Sequence, residues 1–275
     1  MSEPLAALVD THCHLNLSAY DTDREEVLDR ARSAGVERIL IPGVDLPSSQ
    51  IAIELADKHD DVFAAVGVHP HYVSEWSEAL ADEITSLAQS PKVVAIGEIG
   101  LDYYRNLSPP EMQRRAFEDQ LEIASSMKYP VLIHNREAIG DILKHLTKWI
   151  RNLPPSLSTR AGVLHAFSAD LASAIEAIRQ GFYIGIAGPI TFPKAEALRN
   201  IVSQLPSDRL VIETDSPYLT PEPHRGRRNE PAHLEWIAQN VNDIRDDDYS
   251  TIRATTENAK NLFQWSHDIT NNNIL

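Results

Sequence analysis

The stretch LAALVDTHCHLN, residues 5–16, decides the fold. An apolar run passes straight into an acid and two histidines, with no glycine among them. In a β-strand, side chains two apart project to the same side, so His12 and His14 share a face and Cys13 points away. Seven further apolar runs follow: RILIPGV (38–44), FAAVGVH (63–69), VVAIGEIG (93–100), VLIHN (131–135), GVLHAFS (162–168), FYIGIAG (182–188) and LVIETDS (210–216). They are near-continuous rather than alternating, the pattern of strands buried on both faces of a parallel sheet. Helical segments lie between and after them, at 23–35, 108–128 with Ser108 as N-cap, 170–181, 231–244 and 249–265. An open doubly wound sheet often carries a glycine-rich phosphate loop after its first strand, and DTHCH has none. The reading is therefore an α/β fold, a (β/α)₈ TIM barrel of eight parallel strands with outer helices, with residues 1–275 as a single domain.

Composition narrows the function. A net charge of −15 argues against a wide, sequence-independent grip on duplex DNA, which runs on Lys and Arg against phosphates. A small basic pocket, or bound cations that reverse the sign locally, remains compatible with it. The one cysteine cannot form an internal disulfide, which fits a reducing compartment, the cytoplasm by default. Cys13 reads as a small buried hydrophobe. No apolar run reaches the ~18 residues of a membrane span, and the N-terminus lacks the basic-then-apolar pattern of a signal peptide.

A barrel places its active site at the C-terminal ends of its strands. There the sequence puts His12 and His14 (first run), His69 and His71 (third), Glu98 and Asp102 (fourth), His134 (fifth), His165 (sixth), and Glu213 and Asp215 (eighth). Any one of these histidines could be an ordinary hydrogen-bonded core residue. Jointly, six of the eleven histidines fall at strand ends, where chance would place about one. Imidazoles with carboxylates bind divalent transition metals. His12, His14, His134, His165, Glu98 and Asp215 exceed the needs of one open catalytic ion and suit two ions sharing a bridging carboxylate, Glu98. Some related barrels bridge with a carboxylated lysine, but Lys92 precedes its strand and sits at the wrong end.

The segments DTHCHLN, VGVHPH, IGEIGLDYY, VLIHNREA, GVLHAFS, ETDSPYLTPEPHRGRRNEP and TTENAKNLF, in this order, resemble the TatD family of metal-dependent deoxyribonucleases, within the amidohydrolase-like hydrolases. The resemblance runs from about residue 8 to about residue 265. It implies that His12, His14 and Asp215 hold one metal, that Glu98 bridges, and that His134 and His165 hold the second. It places His69 and Asp102 beside the metals and Glu213 behind Asp215. It also implies 3′-to-5′ trimming of DNA in repair or breakdown. Two departures stand out: HAFSAD, where the family more often has HCFSG, and an extension, NLPPSLSTR (152–160). Neither contains a proposed ligand other than His165 itself.

The expected chemistry is hydrolysis of a phosphodiester by a metal-activated water, oriented or deprotonated by Asp215, with Glu98 as the second catalytic carboxylate. The donor set favours Zn²⁺ or Mn²⁺ over Mg²⁺, although the resemblance implies that Mg²⁺ supports activity. In the loop after the eighth run, Arg225, Arg227 and Arg228 can grip phosphates, Arg225 first. Tyr103, Tyr104 and Tyr218 offer stacking surfaces for unpaired bases. The acidic balance favours single-stranded ends or short oligonucleotides as partners of a monomeric enzyme. Two rivals compete. One is hydrolysis of an amide, lactone or aminoacyl ester on the same metals, since fold does not fix function; a neutral substrate would give Arg225 no role. The other is a non-catalytic interaction module derived from a hydrolase, against which the intact ligand set speaks.

Overall fold

All eight apolar runs form strands, and these pair in parallel in the order of the sequence. The computed structural model describes residues 7–265. The strands are β1 (Leu8–Asp10), β2 (Val36–Pro42), β3 (Val62–Val66), β4 (Val93–Asp102), β5 (Val131–Arg136), β6 (Gly162–Leu164), β7 (Phe182–Ile186) and β8 (Leu210–Ile212). The sheet curls until β8 meets β1. Thr11 N donates to Ile212 O at 3.3 Å, Asp215 N to His12 O at 2.8 Å, and His14 N to Ser216 O at 2.7 Å. The expected (β/α)₈ barrel is thus present, and its closing seam runs through segments that carry proposed ligands.

The helices around the sheet are α1 (Arg24–Ser33), α2 (Leu46–Lys58), α3 (Glu78–Leu87), α4 (Pro110–Met127), α5 (Ile139–Trp149), α6 (Leu171–Arg179), α7 (Glu196–Gln204), α8 (Leu234–Arg245) and α9 (Ser250–Phe263). The five expected segments correspond to α1, α4, α6, α8 and α9; α2, α3, α5 and α7 complete the alternation. Side-chain caps mark several starts. Asp45 accepts from Ser48 N in a capping box before α2, and Asp170 accepts from Ser173 N before α6. Ser108 is not the cap of α4. That position belongs to Pro109, and the buried Ser108 hydroxyl instead donates to His71 O at 2.9 Å. A long-range contact has taken the hydroxyl that a local reading assigned to the helix, and it ties the loop after β4 to the loop after β3. No helix among the described residues is long and apolar enough to cross a membrane.

Two apolar clusters form because each strand has two buried faces. One lies between sheet and helices. The other fills the barrel, with Val9, Leu40, Phe63, Val94, Leu132, Val163, Tyr183 and Val211 each contributed by a different strand. Its lower end is stoppered by the end of α9: Trp265 is 1% exposed and its ring centroid lies 4.4 Å from that of Phe63. Lys92 lies at this same mouth, its ammonium 5.1 Å over Phe63 and donating to His59 O at 3.0 Å. The extension before β6 is also here, where Arg160 donates to Leu262 O.

The plug's role is open to measurement. Replacing Trp265 by Ala should cost about 3–5 kcal/mol in a urea titration, the range for emptying a buried aromatic site. A loss below about 1 kcal/mol would mean that α9 merely rests on the barrel.

Candidate active site

At the opposite mouth, the strand ends converge on Glu98, a carboxylate 3% exposed. Its two oxygens face different nitrogens. Oε2 lies 3.4 Å from His12 Nε2 and 3.5 Å from His14 Nε2. Oε1 lies 2.9 Å from His134 Nδ1, 3.6 Å from His69 Nε2 and 3.8 Å from His165 Nε2. Asp215, just past β8, sets Oδ1 3.8 Å from His12 Nε2, 3.5 Å from His14 Nε2 and 3.7 Å from His165 Nε2. The structure therefore brings together His12, His14, Glu98, His134, His165 and Asp215 from five different strand ends.

The spacing fits cation binding. His12 Nε2 and His14 Nε2 are 3.2 Å apart, and each ring's Nδ1 is buried with no hydrogen-bond partner among the described residues. Neither ring is thus held by a protein group behind it, and two nitrogens aimed at each other need something shared between them. Donors bound at ~2.0–2.2 Å in a tetrahedron lie about 3.4 Å apart. His12 Nε2 and His14 Nε2, 3.2 Å apart, each lie 3.4–3.8 Å from Glu98 Oε2 and from Asp215 Oδ1.

A layer of acids sets the imidazoles. His165 directs Nδ1 at Glu213 Oε1, 2.9 Å away, which leaves Nε2 free to coordinate. The Glu213 carboxylate also accepts from Ala166 N at 2.5 Å and from Thr11 Oγ1 at 3.3 Å, so its partners are these three groups. Asp102 Oδ2 stands 3.2 Å from His134 Nε2 and 2.7 Å from His71 Nε2, while Oδ1 accepts from Arg105 N. Asp102 therefore orients His134 from behind and leaves Nδ1 facing Glu98. His69 differs. His71 N donates to its Nδ1 at 3.1 Å, so the ring proton sits on Nε2. His69 presents an N–H donor to the cavity, not a lone pair.

The carboxylates set the electrostatics of the site. Burial opposes charge on Glu98, yet the His69 and His12 imidazoles hold its carboxyl well below its usual range. Burial pulls His165 down, but the Glu213 and Asp215 carboxylates outweigh it and push it up to about 10. Burial likewise opposes protonation of His134, and hydrogen bonds to Asp102 and Glu98 raise it overall. Burial drives His69 well below its usual value, so it stays neutral. Cys13 takes no part: its buried Sγ lies 2.9 Å from Ser216 Oγ, and burial pushes the thiol well above its usual range.

A cavity of about 560 Å³ opens above these groups. Its wall carries Arg105 and Arg136 and the exposed rings of Tyr72, Tyr104 and Tyr218. Arg136 lies 4.9 Å over the Tyr104 ring. Arg225, Arg227 and Arg228 are not among its lining residues. Arg228 grips Asp23 at 2.7 and 2.6 Å, fastening the loop after β8 to α1. Arg225 lies over the Phe192 ring, 4.2 Å from its centroid, and Arg227 is exposed. Tyr103 donates to Asp141 at 2.8 Å and serves as packing. Sequence reasoning gave no role to His71, Tyr72, Arg105 or Arg136. The available signal was their position at or just past the ends of β3, β4 and β5.

A family model described as TatD related DNase matches residues 9–264. The chain is 39% identical to an uncharacterized metal-dependent hydrolase, YabD, of Bacillus subtilis, over 94% of this chain and 99% of that one. It is 41% identical to a protein named 3'-5' ssDNA/RNA exonuclease TatD in Citrobacter koseri, over 93% and 98% respectively. The crystal structure of the TatD homolog YJJV of Escherichia coli superposes with a TM-score of 0.87 at 30% identity, covering 94% of this chain and 98% of that one.

The support behind His165 gives a direct test. Glu213→Gln should weaken metal retention about 10–100-fold, as for other outer partners of ligating histidines. Metal content after dialysis against graded chelator, with circular dichroism unchanged, measures it. Gly185→Ala should act the same way, because a methyl there would stand 2.7 Å from Glu213 Oε1. Unaltered retention in both variants would mean that His165 needs no support.

Proposed function

Because this chain belongs to the TatD related DNase family of metal-dependent hydrolases, we propose that it trims single-stranded DNA ends 3′-to-5′ with two divalent ions. The observation that carries the reading is the pairing of a cation-sized donor cluster with a wall of arginines and exposed tyrosines. His12, His14, Asp215 and Glu98 Oε2 would hold one ion. Glu98 Oε1, His134 Nδ1 and His165 Nε2 would hold the other. Divalent ions in these places supply Lewis acidity, lowering the pKa of water and drawing charge from phosphoryl oxygens. The donors suit Zn²⁺ or Mn²⁺, with Mg²⁺ as the oxygen-loving alternative.

The protein's own groups do the rest. Asp215 orients the attacking water and accepts its proton. His69, neutral and carrying its proton on Nε2, donates to a phosphoryl oxygen and steadies the charge that develops there. Arg105 and Arg136 hold phosphates of the incoming strand. Tyr72, Tyr104 and Tyr218 stack on its unpaired bases, an interaction that tolerates any sequence. The charge of −15 disfavours a long duplex. The same reading has the enzyme acting as a monomer in the cytoplasm, where Cys13 remains a thiol.

End-labelled single-stranded DNA, offered to chelator-treated protein with Mg²⁺, Mn²⁺ or Zn²⁺ restored, tests the reading. A metal-dependent ladder from the 3′ end is expected, and Glu98→Ala should reduce it at least ~100-fold with the fold intact. A full-rate Glu98→Ala variant would remove the two-ion assignment. Arg136→Ala should raise KM for the strand about tenfold with little change in kcat, the loss of one charged hydrogen bond to phosphate. Cleavage of lactones or amides but of no strand would move the assignment to those substrates.

A further inference from the structure

We infer that a second, apolar cleft beside the metal cavity seats one unpaired nucleobase of the strand being cut. The proposal rests on the nuclease reading above and adds a subsite to it. The cleft has a volume of about 350 Å³, within the ~300–1,000 Å³ range of small-molecule sites. The loop after β6 forms one side, with Ala166 and Phe167, and Phe192 and the start of α7, with Ala197 and Leu198, form the other.

Three features commit it to a base rather than to another protein. The first is continuity. His165 lines the metal cavity and the next residue, Ala166, lines this cleft. The chain turns sharply between them: Ala166 has a φ of 41° and is held there by its N–H bond to Glu213. A nucleotide next to the bond being cut can therefore reach the cleft. The second is chemistry, since the half-buried Phe192 ring offers aromatic surface to a flat ring, with the buried Phe167 at the cleft wall. The third is charge. Lys194 lines the cleft, and Arg225 lies over Phe192 with its nearest acid, Glu222, 4.0 Å away. A guanidinium on a ring face keeps its N–H edges for phosphate. Two cations flanking an apolar slot on so acidic a protein match a base with phosphates on either side. This gives Arg225 a place on the strand, although it does not line the metal cavity.

The test uses the full chain and DNA strands in which a single abasic residue is moved through the last four positions. In the metal-loaded wild type, one position should raise KM about tenfold or more relative to the intact strand, the usual scale of one lost stacking contact. Ala197→Trp, which fills the cleft, and Phe192→Ala, which removes one ring face, should each bring that ratio close to one. A strand carrying 2-aminopurine at that position should lose fluorescence on binding the chelator-treated wild type, and should lose less with either variant. A flat abasic scan, or discrimination retained in both variants, overturns the base site while leaving the nuclease reading intact. No cleavage of any strand by the metal-loaded wild type overturns the nuclease reading and the base site with it.

Discussion

Everything at the functional mouth is arranged around one buried carboxylate. Glu98 carries its charge at 3% exposure, a placement that costs several kcal/mol unless partners surround it. The partners are imidazoles delivered from β1, β3, β5 and β6, and each oxygen faces a different group of them. The histidines cannot move freely without exposing that charge to an apolar barrel. Glu98 in turn keeps His134 charged more readily and shares His165 with Asp215. Site geometry and local stability are thus one problem with one solution.

The solution is reinforced from below by a polar layer at the barrel seam. Asp10 accepts from Thr214 Oγ1 at 2.6 Å, from Thr214 N at 2.9 Å and from His12 N at 3.3 Å. Thr214 Oγ1 also bonds Ser216 Oγ. Burial pushes the Asp10 carboxyl up to about 7. This layer grips β1 and the segment after β8 at once, so the closure of the barrel and the placing of His12, His14 and Asp215 are set by the same bonds. The far mouth carries none of this chemistry. There Trp265 and Phe63 pack as a plug, and the polar groups of Lys92 and Arg160 bind backbone carbonyls. The separation suits a fold in which stability is built at one end and the loops at the other are free to specialise.

On the nuclease reading proposed above, the cavity wall is what lets an acidic protein accept an acidic substrate. Arg105 and Arg136 line the cavity among the exposed rings of Tyr72, Tyr104 and Tyr218 and concentrate positive charge there. Elsewhere arginines are spent on the fold: Arg30 binds Glu230, Arg32 binds Asp61, and Arg228 binds Asp23. Net charge therefore describes the outer surface rather than the wall of the cavity.

The sequence by itself determined the eight strands and their order, the helices α1, α4, α6, α8 and α9, and the end of the barrel at which the polar residues gather. Strand runs and helix stops are local patterns, and a histidine or acid at the end of an apolar run can be read without knowing its neighbours. Lys92 could be set aside as a bridge in the same way, since it precedes its strand. Only the tertiary structure decided which atoms meet. Glu98 divides its oxygens between two groups, Asp102 lies behind His134, and Glu213 lies behind His165 rather than only near Asp215 in sequence. His69 is turned into a donor by a backbone N–H two residues on. Ser108 and Arg228 were misread or left open for the same reason: their partners, His71 and Asp23, lie 37 and 205 residues away. Such pairings appear only when the barrel closes, because closure brings distant strand ends within hydrogen-bond reach and the side-chain directions that result are written in no local stretch of the chain.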